Sequence, residues 1–299
     1  MNPWQVRNIR PAFWIAGLVL IAAALVLVGH LSTNYLEFSQ YNTGWNGTSR
    51  FFSDLDRHRL VEISEPFQLM SNSTNTTLLI IAPWRQPTDQ ELSGYRAFIE
   101  RGNTIILADD FGTGNQILRG LKSRISILPG NVSSLDRKYA DPYSVVVYPS
   151  GNETLIENIP SLLLNRPASL RGGTPIMQTS VMSWVDLNGD RKINNFEVLG
   201  AINVIASDNI GNGRIIVVSD PSIFINSMYD FEPPYNRIFM QNLVNGNEPL
   251  LIDQMNSRTR DAEGANEILH LIKTKLMVEL LFVCVLMLFV AWIWKRKII

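Results

Sequence analysis

The strongest chemical signal is the stretch Asp186-Leu-Asn188-Gly-Asp190-Arg-Lys192-Ile-Asn194-Asn-Phe-Glu197, which places oxygen donors at the spacing of a calcium loop. In a twelve-residue EF-hand loop, side-chain oxygens come from positions 1, 3 and 5, a backbone carbonyl from position 7, and a bidentate acid from position 12. Here Asp186, Asn188 and Asp190 supply the first three, Lys192 the carbonyl, Asn194 stands at position 9, and Glu197 closes the set. Ile193 at position 8 is the apolar anchor. Arg191 occupies position 6, where the sharp turn favours glycine, because a β-carbon at positive φ is costly. The flanking residues read as strands, Met182–Val185 and Val198–Ile205, so the loop lacks paired EF-hand helices. Calcium is the expected ion; a plain Asn/Asp/Gly turn is the alternative.

A second group of carboxylates follows strand-like runs. Asp109 and Asp110 come after Asn103–Ala108, Asp220 after Gly213–Ser219, and Asp253 after Leu250–Ile252, with Ser222 and Asn226 nearby. In a parallel sheet the loops beyond the strand carboxyl ends meet at one edge and form a crevice. Converging there, these residues would bind a cation, a polyol or a basic peptide; the competing role is capping of the turns that follow, which Asp performs routinely. No nucleophile–base pair stands out. The single cysteine, Cys284, lies in a long apolar run, and the histidines are only His30, His58 and His270.

The elements that would position these residues alternate between apolar strands and amphipathic helices. Thr77–Ala82 is an apolar run ending in Pro83. Thr88-Asp-Gln-Glu91 has the form of a capping box, and Leu92, Tyr95, Phe98 and Ile99 follow at helical spacing up to Gly102. Asn103–Ala108 and Gly213–Ser219 repeat the buried-strand pattern, and Tyr235–Val244 is amphipathic. The spacing predicts an α/β domain over residues 55–255 with a doubly wound, mostly parallel sheet. Tyr143–Ser180, strand-like without helices, reads as an antiparallel extension or a subdomain.

The phrases Leu79–Pro83, Thr88–Leu92, Phe98–Gly102 and Thr104–Asp109 resemble the class I glutamine-amidotransferase-like superfamily, a flavodoxin-like architecture. With Gly213–Ser222, Phe224–Asn226 and Asn236–Asn242, the chain is more closely similar to the DUF4350 family, whose members are membrane-anchored and of unassigned function. The resemblance implies the fold and no activity. Amidotransferases carry a nucleophilic Cys on a strand-to-helix elbow with a His behind it; the matching elbow here, Ala108–Gly114, has no Cys or Ser. A non-catalytic binding or scaffold module is therefore expected, with a metal-assisted hydrolase using the strand-end aspartates as the alternative.

Composition sets the surroundings. The 299 residues carry 26 Lys+Arg and 27 Asp+Glu, for a formal net charge of -1, which argues against nucleic acid as a partner. Residues 13–30 and 276–294 are apolar and long enough to cross a bilayer, with Arg7 and Arg10 before the first and Lys295, Arg296 and Lys297 after the second. The positive-inside rule then puts both tails (1–12 and 295–299) in the cytoplasm and the central domain outside the cell membrane, with 31–54 and 256–275 as membrane-proximal segments. A cleaved signal peptide is the rival for the first run. On this reading the partners are the lipid bilayer and other membrane or cell-surface proteins, including a membrane transport or assembly complex, with oligomeric state open. Sequons at Asn46, Asn72, Asn75, Asn131 and Asn152 would permit glycosylation.

Overall fold

The computed structural model describes residues 34–56, 59–70, 74–136, 138–244 and 249–260, and Tyr35–Asp261 form one compact unit. In chain order, α1 (Ser49–Asp54) precedes β1 (Leu60–Ile63), β2 (Thr77–Ile81), α2 (Asp89–Glu100), β3 (Thr104–Ala108) and α3 (Gly114–Gly120). An all-strand stretch follows: β4 (Ser126–Ser134), β5 (Ser144–Pro149), β6 (Leu162–Asn165), β7 (Ala168–Arg171), β8 (Thr174–Thr179) and β9 (Ser183–Asp186). Then come β10 (Asn203–Ile210), β11 (Gly213–Val218), α4 (Asn226–Tyr229), α5 (Tyr235–Val244) and β12 (Leu250–Asp253).

Nine strands form one sheet in the order β1-β12-β2-β3-β11-β10-β8-β5-β6, and β7-β4-β9 form a second of three strands. The five strands from β1 to β11 run parallel. From β11 outward through β10, β8, β5 and β6 every pairing is antiparallel, as in the small sheet. The expected doubly wound, mostly parallel α/β fold is thus corrected to a large mixed sheet with few, short helices. Connection length gives the reason. Ile210 pairs with Gly213, so only Gly211 and Asn212 join β10 to β11. Two residues close a hairpin but leave no room for the dozen or more that a parallel crossover needs. Gly211, at φ 59, takes the left-handed conformation such a turn requires.

Of the parallel strands, β12, β2, β3 and β11 are buried on both faces, which is why they read as unbroken apolar runs. Leu79, Ile81, Ile106 and Val218 pack with Phe51, Phe52, Phe224 and Phe239 on one side. Leu78, Ile80, Ile105 and Val217 pack with Tyr95, Phe98 and Ile117 on the other. The capping box forms as expected: Thr88 Oγ1 accepts the Glu91 N–H, and Glu91 Oε2 accepts the Thr88 N–H. The segment before α1 belongs to the unit, with Phe38 buried and the Gln40 N–H donating to the Thr259 carbonyl at 2.8 Å. Arg258 lies 3.7 Å from Glu37, so both ends of the unit meet at one place.

Among the described residues no helix is long and apolar enough to cross a membrane. The longest, α2, has 12 residues and at about 1.5 Å per residue falls well short of a hydrocarbon core of about 30 Å. The segments read as spans, 13–30 and 276–294, lie outside the described residues. The two-span organisation therefore has no support in the structure. With it go the cell-membrane location, the cytoplasmic termini and the scaffold role for a membrane complex.

Candidate functional site

Three of the four strand-end aspartates are held by their own turns. Asp109, at the end of β3, is buried and accepts the backbone N–H groups of Gly112 at 3.0 Å and Gly114 at 2.7 Å. Asp220, beyond β11, has no exposed surface; it accepts the N–H of Ser222 at 2.8 Å, capping the turn Pro221–Phe224, and that of Asn165 at 2.6 Å. Asp253 accepts the Tyr95 hydroxyl at 2.8 Å and the N–H groups of Asn256 and Ser257. Burial outweighs these bonds and pushes Asp109 and Asp220 up to about 7 and Asp253 up to about 6. Asp110 is half-buried, accepts the Phe111 N–H, and is also raised by burial.

The charge of Asp110 adds to the shifts of both Asp109 and Asp220, so these three gather at the β3–β11 edge. Asp253 stands apart, with β2 and β3 between β12 and β11. Ser222 contributes its N–H to Asp220. Asn226 serves another purpose: its Nδ2 donates to the carbonyls of Asn42 and Gly44 and its Oδ1 accepts the Arg50 N–H, fastening the segment before α1 and the start of α1 to α4. Carboxyls near pH 7 suit proton transfer, yet Asp220 and Asp253 are sealed from solvent and their oxygens are occupied. A salt bridge missed in the sequence closes the neighbouring turn: Arg85 grips Glu91 at 2.5 and 3.1 Å while its Nε donates to the Met255 carbonyl.

The loop 186–197 is built differently. Asp186 and Glu197 are brought together: Glu197 Oε1 accepts the N–H of Leu187, the residue after Asp186, at 2.9 Å, and its Oε2 accepts that of Asn194. Asp186 accepts the N–H groups of Gly189 and Arg191 and the Tyr143 hydroxyl at 2.7 Å. Burial would raise Asp186, but the Tyr143 hydroxyl and the two N–H groups outweigh it and hold the carboxyl below its ordinary value. Asn188 and Asp190 each accept an N–H two residues on, from Asp190 and Lys192, and Asp190 is held low chiefly by the Lys192 bond. Arg191 stands at φ 62, in the left-handed region that position 6 of a calcium loop requires, and lies 5.1 Å over the Tyr143 ring, beside Arg166 at 5.5 Å. Among the described residues no three His, Cys, Asp or Glu side chains converge to hold a metal ion. β9 pairs with β4, and β10 begins only at Asn203, so the loop does not join two paired strands as expected.

Burial in this segment is inverted. Asp186 and Glu197 are buried at 1% and 8% exposure, whereas Val181 is exposed at 67%, Leu187 at 57%, Phe196 at 63% and Val198 at 82%. Of the sequons, Asn75 and Asn152 are exposed, Asn46 accepts Asn42 Nδ2 beside the buried Thr48, Asn131 lies within β4, and Asn72 is outside the described residues, as are the three histidines and Cys284.

The family described as "Domain of unknown function (DUF4350)" matches residues 40–244. The chain belongs to the DUF4350 family. A search of the curated proteins finds no match. Among solved structures, the DUF4350 chain is similar to the "mmIFT52 N-terminal domain", at 15% identity and a TM-score of 0.47, covering 67% of this chain and 89% of that one. It is also similar to a β-galactosidase from Bacillus circulans sp. alkalophilus, at 12% identity and a TM-score of 0.36, covering 58% of this chain and 23% of that one. Gan42B, a GH42 β-galactosidase, matches at 12% identity and a TM-score of 0.30, over 56% of this chain and 21% of its own. At these scores none of the likenesses bears on what the chain binds.

Proposed function

We propose that this DUF4350 chain is a non-catalytic binding module that engages a protein partner through residues 181–199, with calcium as the ion of the Asp186–Glu197 loop. The inverted burial carries the reading. Large apolar side chains clustered in solvent mark an interaction surface more reliably than scattered ones do. The buried carboxylates beneath them pin the backbone that presents those side chains. Support for a non-catalytic role comes from the elbow after β3. An amidotransferase-like site would need a Cys there, and this elbow offers Asp109, whose two oxygens hold Gly112 and Gly114. Support for calcium comes from the approach of positions 1 and 12 and from the left-handed Arg191. An ionised carboxylate has about four acceptor sites, more than the backbone bonds to Glu197 consume.

Hydroxyl-radical footprinting of the full-length chain tests the surface. Residues 181–199 should be protected in native extract and labelled in dilute purified protein; equal labelling in both would remove the surface. Melting tests the ion. Binding to the folded state alone stabilises by about 2.7 kcal/mol at a hundredfold excess over Kd, so millimolar calcium should raise Tm over chelator, and Glu197→Gln should abolish the rise. Superimposable curves would leave a plain polar turn.

A further inference from the structure

We infer that Arg166 and Arg191, gathered over the ring of Tyr143, form a clamp for an oxyanion of the phosphate class. The clamp needs neither the ion of the loop nor the apolar side chains of 181–199, so it stands apart from the function proposed above.

The two arginines come from separate parts of the chain. Arg166 lies between β6 and β7, in the short connection it makes with Pro167, and Arg191 lies in the turn after β9. Their guanidinium carbons stand 5.5 and 5.1 Å from one ring centroid, that of Tyr143. Main-chain bonds set both in place. The Arg166 N–H donates to the Tyr143 carbonyl at 2.9 Å and the Arg191 N–H to Asp186 at 2.8 Å, while the Tyr143 hydroxyl donates to the same carboxylate. Both residues take positive φ, 59 and 62. That conformation is unfavourable for a residue with a β-carbon, and Arg166 also precedes proline, which drives the residue before it toward extended backbone. Strain of this kind persists where neighbouring bonds over-determine it, and it concentrates at ligand clamps.

The ring explains where the guanidiniums rest and leaves their charge unanswered. One cation gains from an aromatic face; a second cation on the same ring adds repulsion that an anion would remove. The described residues offer little in reply. Arg166 has no ion pair among them, and Arg191 has only Asp141, at 3.9 Å. Asp186 is buried, and its oxygens are taken by the Tyr143 hydroxyl and the N–H groups of Gly189 and Arg191. Both guanidiniums reach solvent, each with a planar fork of N–H donors that no described residue accepts from. A carboxylate would balance one of the two charges. A phosphate, at about -1.5 to -2 near pH 7, balances both, and its terminal oxygens accept from two forks at once.

Calorimetric titration of the full-length chain with inorganic phosphate tests the clamp, in chelator and against chloride of matched ionic strength. A second arm with O-phosphoserine separates a phosphate borne on a side chain from the free ion: the clamp holds whichever binds more tightly. Arg166→Lys and Arg191→Lys should each weaken binding about tenfold at unchanged Tm, because lysine keeps the charge and loses the fork. Asp141→Asn should tighten binding severalfold, since the amide oxygen keeps the bond from the Tyr143 N–H and the opposing charge is gone. Where a lysine variant melts lower, the Asp141→Asn result decides. No binding of either probe would overturn the clamp, as would binding indifferent to these substitutions. Equal binding of acetate would overturn the phosphate class. Chelator is present throughout, so a failed calcium melting test leaves this result unaffected, and failure here leaves the surface reading intact.

Discussion

The side chain of Asn236 pairs with the main chain of Leu163 as a neighbouring strand would: its Oδ1 accepts the Leu163 N–H at 3.0 Å and its Nδ2 donates to the Leu163 carbonyl at 2.9 Å. Leu163 lies in β6, the outermost strand of the large sheet, and two residues on Asp220 accepts the Asn165 N–H. Outward main-chain groups of an edge strand are templates for pairing with other chains. Here two side chains fill them.

Asn236→Ala should therefore have two effects. Loss of both bonds from a residue only 2% exposed should destabilise the fold by about 1–3 kcal/mol in urea denaturation. It should also speed aggregation, followed by light scattering, more than an equally destabilising core substitution such as Val145→Ala does.

The pH dependence of stability should carry the sign of the buried acids. Asp109 and Asp220, raised to about 7, and Asp253, raised to about 6, bind protons more tightly in the folded chain than in the unfolded one, whose carboxyls titrate near 3.9. Their contribution is fully present below about pH 4 and is lost as pH rises through about 6 to 7. Denaturation midpoints should thus fall from pH 5 to pH 8, and Asp220→Asn should make that fall shallower. Acids held low by their partners, Asp186 by Tyr143 and its own turn and Asp208 by the guanidinium and backbone N–H of Arg124, lose their contribution only toward pH 4 and below. A midpoint that rises across pH 5 to 8 would contradict the burial assigned to these groups.

Two glycines should respond in opposite ways to alanine. A β-carbon on Gly112 would fall on the Pro83 carbonyl oxygen and the Asp109 carboxylate, neither of which can withdraw without opening the turn. Gly112→Ala should cost about 2–3 kcal/mol. Gly200 has open space where its β-carbon would stand, and Gly200→Ala should change stability by no more than about 0.5 kcal/mol.

How much of this was legible beforehand depends on how local the cause is. The Thr88–Glu91 capping box is written in four consecutive residues, and the helix it starts ends where Gly102 takes φ 94. β2, β3, β11 and β12 show in sequence because burial on both faces leaves them no polar alternation. The antiparallel half was legible in Tyr143–Ser180, whose strand-like runs without helices become β5, β6 and β8, whereas the hairpin that joins it to the parallel half is marked by Gly211-Asn212 alone. β9 pairing with β4 joins residues far apart in sequence, from Asn131 with Asp186 to Ser134 with Ser183, and no local pattern marks that register. The candidate site divides in the same way. The donors of 186–197 are a local motif, and the approach of Asp186 to Glu197 followed from their spacing. Nothing in sequence tells that Asn226 would be spent on Asn42 and Gly44, or that Tyr143 would sit over Asp186.

The contact between Gln40 and Thr259 has a mechanical consequence. Because the two ends of the unit leave side by side, a pull applied between them loads that contact and the Glu37–Arg258 pair first. The unit can be carried as an insertion between two closely spaced points of a longer chain without stretching, and tension in that chain would reach the sheet interior only after the bonds of Asn226 to Asn42 and Gly44 had opened as well.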